Sequence, residues 1–173
     1  MTNKKEEAME YLAKFATLIR GTLNASTEDL ISLDQEVRIL ENYLALEKLR
    51  FNNGFEYRIE CDTQLDVQEI CIPPMLIQPF VENAIIHGLK NKGEDGLIHI
   101  DFYSLAADQL EVVIYDNGSK RKLETHKPKM HKSLGMKITS KRLAYNNSTQ
   151  NENFTITPRY TEEGTYVRVL IKV

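Results

Sequence analysis

PPMLIQPFVENAIIHGL, residues 73–89, joins the apolar period of a helix to polar groups that an ordinary core helix would exclude. Met75, Leu76, Phe80, Val81, Ala84 and Ile85 recur at three- and four-residue spacing, which predicts a helix starting near Pro74 with one broad buried face. Glu82, Asn83 and His87 interrupt that face. Asn83 and His87 stand four apart, so they leave neighbouring turns in the same direction. An amide oxygen is a hard, neutral ligand suited to a magnesium ion already half neutralised by phosphates, and an imidazole one turn on can donate to a phosphate oxygen. The same two residues would also serve as a loop-bonding amide and a satisfied boundary imidazole, and this helix alone does not choose between the readings.

The chain of 173 residues suits one domain with an appendage, and 42% hydrophobic residues suffice for a core. A net charge of -3 gives no general pull toward nucleic acid, so none is expected as a partner. No run approaches the roughly 18 apolar residues of a membrane span, and the opening MTNKKEEAMEY has no apolar secretory core. Cys61 and Cys71 lack metal-ligand spacing and read as buried, reduced, structural thiols.

Ahead of the decisive stretch, Ala8, Leu12, Phe15, Ile19 and Leu23 mark an amphipathic helix from about Lys4, ending where Gly21 to Ser26 gathers turn residues. Ser32 followed by Gln35 is a capping box, with Asp34 and Glu36 in the first turn at the positive end of the helix dipole. The apolar residues Val37, Leu40, Tyr43, Leu44, Leu46 and Leu49 of this second helix cover more than one narrow stripe, so two packing partners are implied. A second copy of the chain is one candidate, and self-association is expected. Residues 1–51 are read as partial dimerisation or linker helices and 52–173 as the globular domain.

Phe55, Tyr57, Ile59 and Cys61 alternate with charged residues as a half-buried strand after the turn at Asn52 to Gly54. A brief apolar piece, Ile70 to Ile72, precedes the prolines. Ile98, Ile100 and Phe102, then Leu110, Val112 and Ile114, read as a hairpin that stops at Asp116-Asn117-Gly118. Ser119 to Ser133 is a loop of about fifteen residues, a length uncommon in compact domains unless the loop is a lid or disordered, and it carries Lys120, Arg121, Lys122, Lys127, Lys129 and Lys132 against Glu124. Gly135 opens another helix, and two strands, from Phe154 and from Thr165, close the chain.

A nucleotide explains these separated pieces together. A carboxylate at a strand end accepts from an exocyclic amine such as that of adenine, and a nearby glycine lets the base approach the backbone. The helix opening at Gly135 would offer free amides to phosphates, while Asn83 holds the bridging metal.

VENAIIHG resembles the N box, IYDNG the first glycine box, HKSLGMKI followed by KRL the second, and EEGTYVRV the closing strand of the histidine-kinase ATP-binding domain, the fold shared with gyrase, Hsp90 and MutL. SLDQEVRILENYLALEKLRF followed by IPPMLIQPFVENAI is similar to the LytS-like sensor histidine kinases, in a variety common among Bacteroidetes. The resemblance implies an α+β fold, a two-layer sandwich with a mixed, mostly antiparallel sheet packed on helices (the Bergerat fold), preceded by two amphipathic helices. It implies ATP and Mg2+ as cofactors. Asn83 would coordinate magnesium, Asp116 would bind adenine, Gly118 and Gly135 would shape the pocket and lid, His87 would lie near the phosphates, and Lys132 of the basic flap would be among the nucleotide-binding residues. Thr165 would support the adenine site. The implied activity is γ-phosphoryl transfer to a histidine and then to a response regulator, of LytTR type, in a two-component system. A homodimer is implied, in a cytoplasmic segment anchored at the inner membrane only through a part outside these residues.

The family's acceptor histidine lies in a PHFLFN-like stretch, which MTNKKEEAMEYL does not contain, so the segment is not expected to phosphorylate itself. Lys120 stands where relatives have a second glycine, so the lid hinge differs. It also sustains a second reading, a degenerate ATP fold kept for interaction and dimer contacts. Pro79 occupies the position of the water-activating glutamate in hydrolytic cousins, and Glu82 is about 100° around the helix from Asn83, so efficient hydrolysis is not expected. A serine kinase of the anti-sigma-factor type is disfavoured by Pro79 and by the two leading helices.

Overall fold

A computed structural model describes residues 2–51, 54–89, 92, 95–106, 108–118 and 154–173. Strand periodicity builds the sheet: β2 (Phe55–Cys61), β4 (Gly96–Ala106), β5 (Gln109–Asp116), β6 (Phe154–Tyr160) and β7 (Thr165–Lys172) assemble in the order β2-β4-β5-β7-β6. β2 and β4 run parallel and every other neighbouring pair antiparallel. A parallel pair needs a crossover, and the decisive stretch supplies it. Ile98, Ile100, Phe102, Leu110, Val112, Ile114, Val169 and Ile171 bury one face of the sheet under the helices. The opposite face carries cross-strand ion pairs, Arg58 with Asp101 at 3.5 Å and Arg168 with Glu111. This is the expected two-layer α+β sandwich.

Helix α1 (Thr2–Ser26) leads, and a two-stranded ribbon pairs β1 (Ile31–Ser32) with β3 (Cys71–Ile72). The capping box opens α2 (Leu33–Arg50) as read: the Gln35 N–H donates to Ser32 Oγ at 3.2 Å and the Ser32 N–H to Gln35 Oε1 at 3.0 Å. Both packing partners of α2 are present within the chain. Leu33, Leu40 and Leu44 enter the core of the sheet, while Ile39 and Leu46 pack with Leu18 and Ala25 of α1.

The structure adds one finding on α1 and corrects two expectations. The residues of α1 that face α2 are Leu18 and Ala25, with Tyr11 beside them, whereas Leu12, Phe15, Ile19 and Leu23 are exposed. The helix has two apolar faces, and the regular stripe is the outward one. Cys71 is exposed and Cys61 half-buried, because the Cys71 side chain alternates away from the buried Ile72. The crossover helix α3 (Gln78–Asn83) begins about four residues later than the apolar period suggests. Its delay has a local cause: Met75 adopts φ 56°, a left-handed conformation that a helix cannot contain.

The agent of that turn is Glu36, on the first turn of α2. Its side chain is fully buried and points inward, with the Met75 N–H donating to Oε2 at 2.8 Å and the Ile77 N–H to Oε1 at 3.1 Å. Burial pushes its carboxyl up from 4.5 to about 7, against the opposing effect of the backbone amides. A carboxyl with a raised folded pKa takes up protons on folding, so its contribution to stability falls as pH rises from about 4.5 to about 7 and is level above. Urea unfolding of the wild type relative to Glu36→Gln is therefore expected to show a stability difference that drifts against the wild type by about 3 kcal/mol over that window. A pH-independent difference would contradict the assignment.

Candidate functional site

At its C-terminal end β5 delivers Asp116 to the helix-covered face, in a cross-strand row with Ile98 of β4 and Thr165 of β7. Asp116 is buried, and the described residues give its carboxylate one hydrogen bond, from the Gly118 N–H to Oδ1 at 3.0 Å. Burial pushes its pKa up from 3.8 to about 6, with the Gly118 amide opposing. The turn beyond it is pinned by Asn117, whose side chain accepts from the Leu97 N–H at 2.8 Å and donates to the Asp95 carbonyl at 2.7 Å.

Glycines make this packing possible. A Cβ on Gly88 would sit 2.3 Å from Asp116 Oδ1, and one on Gly118 would sit 2.3 Å from the Gly88 Cα. A Cβ on Gly164 would meet the Asp116 carbonyl oxygen at 2.0 Å. Gly88 and Gly118 thus close on the carboxylate with bare backbone, and Gly164 closes on the Asp116 main chain.

Gly88 ends the helix that carries Asn83 and His87. After Asn83 the α3 hydrogen-bond pattern widens to a π turn over Ala84–Gly88, closed by the Leu89 N–H donating to the Ala84 carbonyl. Such turns recur at functional sites because they re-aim side chains within an otherwise regular helix. Phe80, Val81, Ala84 and Ile85 are buried against the sheet, leaving Asn83 half-buried and His87 exposed. Asn83 makes no capping hydrogen bond through its side chain. It lies five residues before Gly88, so about 7 Å along the helix from the end that covers Asp116. Pro79 is buried, and Glu82 is engaged by Gln78 Nε2 at 3.0 Å. The charge of Glu82 acts on Glu47 of α2, whose carboxyl is pushed up chiefly by burial. Glu82 therefore lies toward α2.

The fold brings Asp116, Gly118 and Thr165 together and joins them to Asn83 and His87 through the one helix. Lys132 and Gly135, with Lys120 and the basic loop, lie outside the described residues. Sequence reasoning missed Gly88 and Glu36. Gly88 carries no side-chain signal, although its place directly after His87 is visible; Glu36 in a first helical turn looks like an ordinary dipole-favoured acid. Chemically, a buried acceptor carboxylate flanked by bare backbone suits an N–H donor on a flat ring, and an amide oxygen farther up the helix, with no partner among the described residues, suits a hard cation.

Residues 1–55 match the family model described as histidine kinase. The chain is 31% identical over 126 residues to the sensor histidine kinase/phosphatase LytS of Staphylococcus aureus, covering 73% of this chain and 20% of that protein. It is 28% identical over 145 residues to the YwpD protein of Bacillus subtilis strain 168, covering 81% of this chain and 51% of that one. Among solved structures it is similar to the histidine kinase domain of the blue-light activated kinase from Erythrobacter litoralis, with a TM-score of 0.62 at 15% identity over 94% of this chain and 74% of that one. Another is the histidine kinase ThkA in complex with the response regulator protein TrrA, with a TM-score of 0.54 at 15% identity over 95% of this chain and 48% of that one. Sequence and fold together make the chain a member of the histidine kinase family. Within it the chain is LytS-like, and it spans about half the length of YwpD and a fifth of LytS.

The glycine contacts give a direct test. Gly118→Ala, whose Cβ meets backbone rather than a yielding side chain, is expected to lower stability by about 1–3 kcal/mol in urea unfolding. An unchanged midpoint would mean that the 88–118 contact is looser than described.

Proposed function

We propose that this chain is the ATP-binding catalytic region of a two-component sensor kinase, holding Mg-ATP for γ-phosphoryl transfer to a histidine outside these residues and then to a response regulator of LytTR type. The observation that carries the reading is the buried, glycine-flanked Asp116 carboxylate at one end of the helix whose middle offers Asn83. On this reading Asp116 accepts from the exocyclic amine of adenine, Thr165 supports it from the adjacent strand, and Gly118 shapes the pocket by packing on Gly88 and donating its N–H to the carboxylate. Asn83 contributes an oxygen to Mg2+, His87 lies near the phosphates, and Lys132 and Gly135 belong to the lid. The metal supplies charge neutralisation between phosphate oxygens. The protein's own share is orientation and a fixed electrostatic frame, since phosphoryl transfer asks mainly for positioning. Domain organisation follows the same reading, with residues 1–51 as partial dimerisation helices and 52–173 as the ATP-binding unit. The whole protein would be anchored at the inner membrane with this segment on the cytoplasmic side; among the described residues no helix is long and apolar enough to cross a membrane.

Binding of a non-hydrolysable ATP analogue with Mg2+, followed by calorimetry, tests the assignment. Ionised Asp116 is the acceptor, so affinity is expected to rise as pH increases through about 6 and to level above it. Asp116→Asn should weaken binding about 10- to 100-fold and flatten that profile. Asn83→Ala should abolish the gain from Mg2+ while leaving magnesium-free binding within about twofold. Absence of binding at millimolar analogue would favour the degenerate-fold reading instead.

The outward face of α1 supports a homodimer. Leu12 is 63% and Leu23 61% exposed, and Phe15, Ile19 and Leu23 line an open groove of about 430 Å³ on that face. Contiguous apolar surface on a helix ahead of a domain suits the same surface of a second copy. Light scattering should find a dimer that Leu12→Glu with Ile19→Glu reduces to a monomer; a monomeric wild type would remove this part of the reading.

A further inference from the structure

Three carboxylates are buried among the described residues: Glu36, Glu47 and Asp116. Asp116 belongs to the candidate site, and Glu47 has an Arg50 guanidinium nitrogen 2.5 Å from one oxygen. Glu36 has neither use. The groups acting on it are the backbone amides of Met75, Leu76 and Ile77, and no cation opposes it among the described residues. Burying a carboxylate on backbone amides alone is costly, and an apolar side chain of similar size would fill the space without that cost. What an apolar residue could not do is hold the turn.

That turn is the entry to the site helix. Pro73 and Pro74 stiffen the approach, and Met75 sits in the left-handed region, which costs about 1–2 kcal/mol and persists only where the surroundings dictate it. Ile77 is held on both sides. Its N–H donates to Glu36, and its carbonyl accepts from the Phe80 N–H at 3.0 Å and the Val81 N–H at 3.4 Å, the first bonds of α3. Asn83 is six residues beyond Ile77, about 9 Å along the helix. A tilt of about 10° at Ile77 would move Asn83 by about 1.5 Å, whereas metal–ligand distances tolerate about 0.2 Å. Glu36 itself rides on α2, which packs on α1 through Ile39 and Leu46.

We propose that Glu36 is a positioning residue for the Mg-nucleotide site: by clamping the 75–77 backbone it fixes the start of α3, hence the aim of the Asn83 amide, and it ties that aim to the α1–α2 pair. The inference rests on the reading of Asn83 as the metal-holding residue. It makes the magnesium-dependent part of nucleotide affinity, rather than adenine recognition at Asp116, the quantity that Glu36 controls.

The test measures the affinity of the 173-residue chain for the ATP analogue with and without Mg2+, in wild type, Glu36→Gln, Asn83→Ala and Val169→Ala. Val169, a buried core residue of β7 that takes no part in the Glu36 hydrogen bonds, serves as a stability control. The ratio of the two affinities should fall about tenfold in Glu36→Gln, with magnesium-free binding little changed, and should keep its wild-type value in Val169→Ala. If Glu36→Gln does not fold, Glu36→Asp keeps the charge, loses one methylene of reach and should show the same loss. A wild-type ratio in the Glu36 variant, or an equal loss in Val169→Ala, overturns the inference while the collapse of the ratio in Asn83→Ala leaves the site reading standing. A wild-type protein insensitive to Mg2+, or an Asn83→Ala variant that retains the gain, overturns both.

Discussion

Asp116 and the end of the crossover helix occupy space that admits no Cβ between them, and the rest of the site is arranged by that close approach. Gly88 can lie on the carboxylate only because the sheet and helix layers meet there backbone to side chain, and Gly118 can fold back over Gly88 for the same reason. Burial of Phe80, Val81, Ala84 and Ile85 then sets which face of the helix turns to the sheet. What remains for Asn83 and His87 is the face left over.

A helix fixed at one end only would pivot. Here the Gly88 contact holds the far end, and the near end is gripped through the backbone of residues 75–77 by a carboxylate from a different helix. The two anchors differ in kind: one is steric and has no slack, the other electrostatic and directional. Between them the π turn takes up the extra residue, which is where a mismatch between two fixed ends would be absorbed. α2 thereby becomes a structural intermediary, sharing the sheet's core on one face and α1 on another.

Much of this was legible because it depends on period and on local bonds. Alternation at Phe55 to Cys61, Ile98 to Phe102 and Leu110 to Ile114 reflects burial on one face of a sheet, and Ser32 with Gln35 is a contact three residues apart. Asp116 and Gly118 were readable as signs at a strand end, Thr165 only through the family resemblance, and the β5–β7 register makes Asp116 and Thr165 neighbours. The start of α3 was misread because Met75 and Leu76 continue an apolar period that Glu36, 39 residues away from Met75, interrupts through its grip on the backbone. No pattern within the stretch encodes a partner at that separation. On α1, a regular three–four stripe and a sparser set at Leu18 and Ala25 compete, and periodicity cannot say which of two apolar faces meets the rest of the chain.

The central claim is that one Mg-nucleotide spans from the amide of Asn83 to the carboxylate of Asp116. A crystal of the chain with an ATP analogue and Mn2+ in place of Mg2+ addresses it directly, because manganese is located by its anomalous scattering. The account predicts a single manganese peak with the Asn83 side-chain oxygen as a ligand, and the adenine amine of the same nucleotide within hydrogen-bond reach of Asp116. Manganese bound elsewhere, or an adenine ring remote from Asp116, would contradict it.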